Sequence, residues 1–218
     1  MRADIETGTY SGWDDPRLPT LAGLRQRGTQ AEALRNFWLE LGITQKDISV
    51  PLATLYAHNT KVIDDDAPRL TFVRHPASFT LVGDHPDSLS IPVHPNHENM
   101  GQRTWNLSGG TIWLESEDLE KMDLRLKEFA DVGLHDRSAH IESMERSDKR
   151  PIVHWLPERN ATEAVLTCTK DNAVFHIEGQ LEAHKHPAGT IVQLERVGYA
   201  KIVDKTTLML CHEDLGES

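Results

Sequence analysis

The chain has 218 residues, 38% hydrophobic and 26% charged, with 34 acidic against 23 basic residues and a formal net charge of −11. This is the composition of a soluble globular protein, long enough for a sizeable core in one large domain or two small ones. No run approaches ~18 apolar residues and no apolar signal region opens the chain, so a cytoplasmic protein without membrane contact is expected. Residues 67–110 are charge-balanced and every other region is acidic. A simple basic nucleic-acid binder is thereby excluded, and any RNA contact must use a few placed arginines on one face.

Residues 1–11 are polar and irregular. Gly12-Trp13-Asp14-Asp15-Pro16-Arg17-Leu18-Pro19-Thr20 then reads as a loop of fixed shape, with Gly12 for a tight turn and the two aspartates for backbone capping. Pro19 suits a first helical turn, Leu21 and Leu24 give an apolar side, and Gly28 stops the helix, leaving two exposed arginines. Thr29 to Glu32 has the form of a capping box, opening a helix with apolar Ala33, Leu34, Phe37, Trp38 and Leu41, ended by Gly42. Thr44-Gln45-Lys46-Asp47 starts a further turn. Pro51 begins a helix carrying Leu52, Leu55, Tyr56, Asn59 and Val62-Ile63 on successive turns. The run Asp64-Asp65-Asp66 reads as a solvated helix end, because metal loops need spaced ligands.

After Ala67 the period changes to two. Leu70, Phe72, Phe79 and Leu81 alternate with polar residues, and further strands are predicted at 89–94, 103–106, 110–114, 132–144, 150–156, 163–168, 173–178, 190–196, 198–203 and 206–211. Lys170-Asp171-Asn172 reads as a hairpin turn, and only Ser116 to Met122 breaks the pattern, with a short acidic helix. The fold class is mainly β with an N-terminal α-helical subdomain, and many short strands point to barrels or sandwiches. Cys168 and Cys211, in apparent strands, read as buried free thiols.

No constellation for catalysis emerges. His94/His97 and His184/His186 lack a third ligand at zinc-site spacing, the second pair reading as an exposed loop. Gly109-Gly110 lacks the Lys-Ser/Thr of a phosphate loop. Four of the five tryptophans lie in apolar phase and read as core, leaving Trp105 as the one open to base stacking.

The segment from Gly12 to Gly28, together with Ala67-Pro68-Arg69, His94-Pro95-Asn96, Met100-Gly101, Gly110-Thr111-Ile112-Trp113 and Gln193-Leu194-Glu195-Arg196-Val197-Gly198-Tyr199, resembles the region after the catalytic domain in archaeal- and eukaryotic-type glutamyl- and glutaminyl-tRNA synthetases. The resemblance covers nearly the whole chain. It implies a helical linker subdomain over 1–66, which meets the tRNA stem, and two anticodon-binding β-barrels. The proximal barrel is expected from 67–110 and 187–218, and the distal one from 111–186. Leu55-Tyr56-Ala57 with Asn59, Lys61 and Ile63-Asp64 is similar to the glutamyl branch. Gly133 and His135 stand where the glutaminyl branch carries arginines.

The same resemblance implies Arg69, Asn96, Gln193 and Arg196 at the anticodon, and Arg25, Gln45 and Lys46 at the stem backbone. Single-stranded bases expose their edges, so Arg, Gln and Asn must reach them while Arg also meets phosphate. The alternative for Arg69 and Arg196 is ion pairing with Asp66 and Glu195. The family's ATP-binding signature would lie just before Met1, and no nucleotide-binding pattern follows it. The expectation is therefore a region without a catalytic site or cofactor, from a glutamate–tRNA ligase that uses ATP and Mg²⁺. Its expected partners are tRNA for glutamate, with tRNA for glutamine, an amidotransferase or other synthetases as further candidates. The alternatives are the matching region of a glutaminyl-tRNA synthetase, or a protein-interaction β-barrel module, which the acidic balance favours.

Overall fold

A computed structural model describes residues 2–42, 49–146, 150–170 and 172–213. Four helices come first: α1 (Arg2–Glu6), α2 (Leu21–Arg27), α3 (Ala31–Leu41) and α4 (Leu52–Ile63). The loop ahead of α2 is organised by buried Asp15, which accepts from Ser11 N, Arg17 N and the Arg17 guanidinium. The Arg17 hydrogen bonds hold its carboxyl far below the ordinary carboxylate range. Thr20 caps α2, its hydroxyl accepting from Gly23 N at 2.9 Å, so Pro19 sits before the helix rather than in it. Gly28 ends α2 in the left-handed region at φ 100°.

Other helical expectations are corrected. The Thr29–Glu32 capping box does not close: Gln30 is the N-cap without a side-chain bond, and its own N–H donates to Asn59 Oδ1 at 2.9 Å. Buried Asn59 on α4 supplies the acceptor from a neighbouring helix, so the local box is not needed. Only Ala33 of the α3 stripe is buried, and Trp38 is 61% exposed. Leu21 is likewise exposed, and of the two arginines expected at the surface Arg27 is buried. The turn expected at 44–47, with Gln45 and Lys46, lies outside the described residues, as does Asp171 of the expected hairpin turn.

Sixteen strands follow among the described residues. They are β1 (Arg69–Leu70), β2 (Phe72–Arg74), β3 (Pro76–Val82), β4 (Ser88–Pro92), β5 (Gln102–Asn106), β6 (Thr111–Glu115), β7 (Asp123–Leu126) and β8 (Asp131–His135). The rest are β9 (Ser138–Ser143), β10 (Ile152–Val153), β11 (Leu156–Pro157), β12 (Ala161–Lys170), β13 (Ala173–Glu182), β14 (Ile191–Leu194), β15 (Gly198–Ile202) and β16 (Thr207–Glu213). The acidic helix expected at 116–122 is a single 3₁₀ turn, Ser116–Asp118, and β7 follows it.

One sheet runs β1-β14-β15-β16-β12-β13-β2 and the other β10-β7-β8-β9-β3-β6-β11, with β4-β5 as a separate hairpin. In the first, the two end strands β1 and β2 are consecutive in the chain. In the second, the end strands β10 and β11 are separated only by His154 and Trp155. A sheet whose opposite edges belong to one continuous segment must curl round on itself, which removes exposed edges. The protein is thus mainly β, with two barrel-like sheets and a small helical part.

The pairing divides the chain differently from the expected bounds. β3 joins the second sheet and β12–β13 the first, so the excursion into the second barrel runs from Pro76 to Pro157 rather than from 111 to 186. The β12–β13 hairpin is held by parallel pairing with β16 and by the Gly179↔Arg74 register with β2. A Cβ at Gly179 would lie 2.5 Å from Val73 O, so the close approach of β2 requires glycine there.

Each barrel has its own core. Leu70, Phe72, Leu166, Leu181, Leu194, Ile202 and Leu208 fill the first. Val73, Leu114, Leu124, Leu126, Val132, Trp155 and Leu156 fill the second. Phe72 and Val73 are successive residues of β2 facing opposite cores, as strand alternation demands. Ile63, Ala67, Tyr199 and Cys211 join α4 to the first barrel. Cys168 and Cys211 are both buried, and burial pushes the Cys211 thiol up to about 12. No helix among the described residues is long and apolar enough to cross a membrane.

Candidate nucleic-acid interface

A cleft of about 370 Å³ opens between the barrels, with the β4–β5 hairpin as its third wall. Arg69, Gln193 and Arg196, expected from distant parts of the sequence, all line it. Arg69 and Gln193 are direct partners in the parallel β1–β14 pair, so 124 positions of chain return to one point.

The Arg69 guanidinium is 7% exposed and turned onto protein groups. Its Nη2 lies 2.7 Å from Asp64 Oδ1, and its Nη1 donates to Ala67 O at 3.1 Å. Tyr199 Oη donates to the same Asp64 oxygen at 2.5 Å, and Gln193 Nε2 approaches Tyr199 Oη at 3.5 Å. Burial pushes the Asp64 carboxyl up, but the Tyr199 and Arg69 hydrogen bonds outweigh it and leave its pKa lowered. Asp64 is therefore no solvated helix end, and it rather than Asp66 is the partner of Arg69.

Arg196 sits in the β14–β15 turn at φ 63°. Its partner is buried Asp118, not Glu195, through Nη1–Oδ2 at 2.6 Å and Nη2–Oδ1 at 3.2 Å. This fork ties the first barrel to the second, and the Asp118 bond raises the arginine pKa. A second tie joins Arg74 on β2 to Glu115 on β6. Nε reaches Oε1 at 2.6 Å and Nη2 reaches Oε2 at 3.0 Å, with His154 Nε2 3.5 Å away. Burial raises the Glu115 carboxyl, yet His154 and Arg74 together bring it well below the usual carboxylate range.

Sequence reasoning missed Arg103, Lys127 and the role of Glu195. Arg103 on β5 donates to Arg69 O, lies 3.2 Å from Glu182 Oε1 and packs over the Trp105 ring. Its position in the polar phase of a strand beside Trp105 was the available signal. Burial raises Glu182, which is held by Trp105 Nε1 at 2.8 Å and Thr71 N at 3.1 Å. Lys127 Nζ meets Glu195 Oε1 at 2.9 Å, and Arg103 Nη2 lies 3.7 Å from the same oxygen. Four cations thus line the cleft beside Glu128 and Glu195, and three of them, Arg69, Arg196 and Arg103, are each paired with a further carboxylate, Asp64, Asp118 and Glu182.

The other expected residues lie elsewhere. Asn96 is exposed in the β4–β5 connection, its N–H donating to His94 Nδ1 at 3.1 Å, and only the neighbouring Pro95 lines the cleft. Arg25 lines a separate groove of about 980 Å³ with Arg35, Trp38 and Lys201. Trp105 is buried edge-on against Trp155 at 5.2 Å and offers no stacking face, whereas Trp13 and Trp38, expected in the core, are exposed. His184 and His186 are half-buried and stacked rather than exposed, and burial lowers both.

Residues 67–148 match the family described as tRNA synthetases class I (E and Q), anti-codon binding domain. Along most of its length the chain is also similar to archaeal glutamate–tRNA ligases. Identity is 36% over 217 residues with that of Methanosarcina acetivorans, covering 93% of this chain and 36% of the relative. It is 33% over 211 residues with that of Archaeoglobus fulgidus, with the same coverage, and 32% over 215 residues with that of Pyrococcus abyssi. The chain thus spans little more than a third of the length of these relatives and matches their C-terminal part. Residues 67–148 thus match the anticodon-binding domain of the class I tRNA synthetases for glutamate and glutamine, and the wider chain is similar to the C-terminal part of archaeal glutamate–tRNA ligases.

Proposed function

We propose that this chain binds the tRNA and reads the anticodon for a glutamate–tRNA ligase, without catalysing amino-acid activation or transfer itself. The observation that carries the reading is the cleft in which Arg69, Gln193 and Arg196 meet at the junction of two barrels. Single-stranded bases need a concave site with amide and guanidinium groups, and phosphates need nearby cations; Lys127 and Arg103 supply the latter. The Asp64 and Asp118 carboxylates orient Arg69 and Arg196, so little conformational freedom is lost on binding. Asn96 on the neighbouring loop would meet a flanking nucleotide. Arg25, with Gln45 and Lys46, would follow the stem backbone.

In the whole enzyme, ATP and Mg²⁺ would serve the part of the relatives outside the matched region. The cognate RNA is tRNA for glutamate, and tRNA for glutamine, an amidotransferase or companion synthetases are further partners under this reading. A filter-binding salt series with an anticodon stem–loop tests it. Affinity should fall steeply as salt rises, and Gln193→Ala should relax discrimination at one base. Absence of binding at low salt would favour a protein-interaction module, to which the net charge of −11 is suited.

A further inference from the structure

We infer that the outer half of β13 is a docking edge for an extended, basic segment of a partner protein, which adds to the first sheet as a further strand. β13 pairs with β12 over its full length, but β2 covers only Gly179, Gln180 and Leu181 on its other side. After Arg74 the chain turns away into β3 and the second sheet, so the closure of the first sheet stops short there. Along residues 173–178 the main-chain groups that point away from β12 meet no other strand among the described residues. Such a row of unpaired groups is a template for another strand, and proteins that avoid pairing blunt it with proline, lysine or a bulge. Residues 173–178 hold none of these, and Val174 and Phe175 are 40% and 41% exposed.

The surroundings set the chemistry of the guest. Phe175 and Ile177 lie opposite Cys168 and Leu166 on the core face of the hairpin, whereas Val174, His176 and Glu178 take the outer face. At the inner end of the edge a groove of about 470 Å³ is lined by Glu163, Glu178, Gln180, Pro76 and Thr206, with no cation among its lining residues and none shared with the cleft between the barrels. Glu163 pairs with Gln180 and Glu178 with Val165, so both carboxylates stand on the outer face. A guest strand therefore places Lys or Arg on that face, beside Glu178 and the groove, and apolar residues on the face of Phe175 and Ile177. Main-chain hydrogen bonds supply the affinity and the two faces the choice of partner. A second copy of this chain is a poor guest, because β13 brings Glu178 with no lysine or arginine of its own and each chain carries a net charge of −11.

The test uses a labelled peptide alternating lysine and valine, with binding to the whole chain read by anisotropy and its place read by amide hydrogen exchange. Exchange should slow at residues 173–178. The same peptide N-methylated at two successive residues, which removes a main-chain donor on either face of the guest, should bind about tenfold more weakly or worse. Glu178→Lys should weaken the unmodified peptide by about fivefold or more, and Asp84→Lys, the same change of charge on the exposed β3–β4 connection, by less than about twofold. Equal losses in the two variants, or full binding of the methylated peptide, would mean general attraction to an acidic chain and overturn the inference. Exchange that slows elsewhere but not at residues 173–178 overturns it, as does an absence of binding. A free chain that is already dimeric, with those amides protected, assigns the edge to a second copy and overturns it too.

Discussion

Replacing Glu115 with Gln should weaken the seam between the barrels, and the structure allows the size of the effect to be worked out. Glu115 is 2% exposed and accepts three hydrogen bonds from Arg74: from N at 3.1 Å, Nε at 2.6 Å and Nη2 at 3.0 Å. Gln keeps one acceptor for N and Nε, but it removes the charge and turns an N–H₂ toward Nη2. Removing one partner of a buried ion pair costs about 3–5 kcal/mol. The Arg74 side chain is 28% exposed and regains part of its hydration, which lowers the expected loss to about 2–4 kcal/mol. For a protein of this size that corresponds to a melting temperature lower by on the order of 8 °C.

Urea unfolding of both proteins across pH is the assay. The folded-state carboxyl of Glu115 is depressed, so its contribution is complete above the unfolded carboxylate value and is lost as pH falls through the folded one. The gap between wild type and Glu115→Gln should be widest near neutrality and close in acid. A gap below about 0.5 kcal/mol at pH 7, the usual scatter of surface substitutions, or one that stays constant into acid, would refute the ion-pair reasoning.

Arg69→Ala should destabilise the protein by about 2–4 kcal/mol, because it strands Asp64 beside Tyr199, as well as weakening stem–loop binding; unchanged urea stability would show that Asp64 is solvated without it. Cys211, buried and raised to about 12, should resist a thiol reagent at pH 8 in the native state and react once the protein is unfolded; rapid native labelling would contradict its burial. Gly28→Ala should cost about 2–4 kcal/mol in thermal unfolding, from a left-handed φ of 100° and a Cβ placed 2.5 Å from Cys211 Sγ. A loss under half of that would mean that the α2–β16 contact relaxes freely.

The sequence by itself determined what short-range physics controls. Thr20 and Gly28 delimit α2, Pro51 and the apolar spacing make α4, and period-two alternation locates β4, β5, β6, β12, β14, β15 and β16 within about two residues, while it runs β8 into β9 and β10 into β11 and misses β7. The motifs around Arg69 and Gln193 also named residues that the fold brings together. Only the tertiary structure decided the partners. Asp64 rather than Asp66 takes Arg69, Asp118 rather than Glu195 takes Arg196, and the cleft's other cations, Arg103 and Lys127, come from β5 and the β7–β8 connection. Which strands close each barrel was likewise illegible, because pairing between distant segments depends on register and loop closure, not on the composition of either strand. The tryptophans make the same point. Trp38 and Trp155 both lie in apolar phase, yet one is exposed and the other buried, because burial depends on whether another element covers that face.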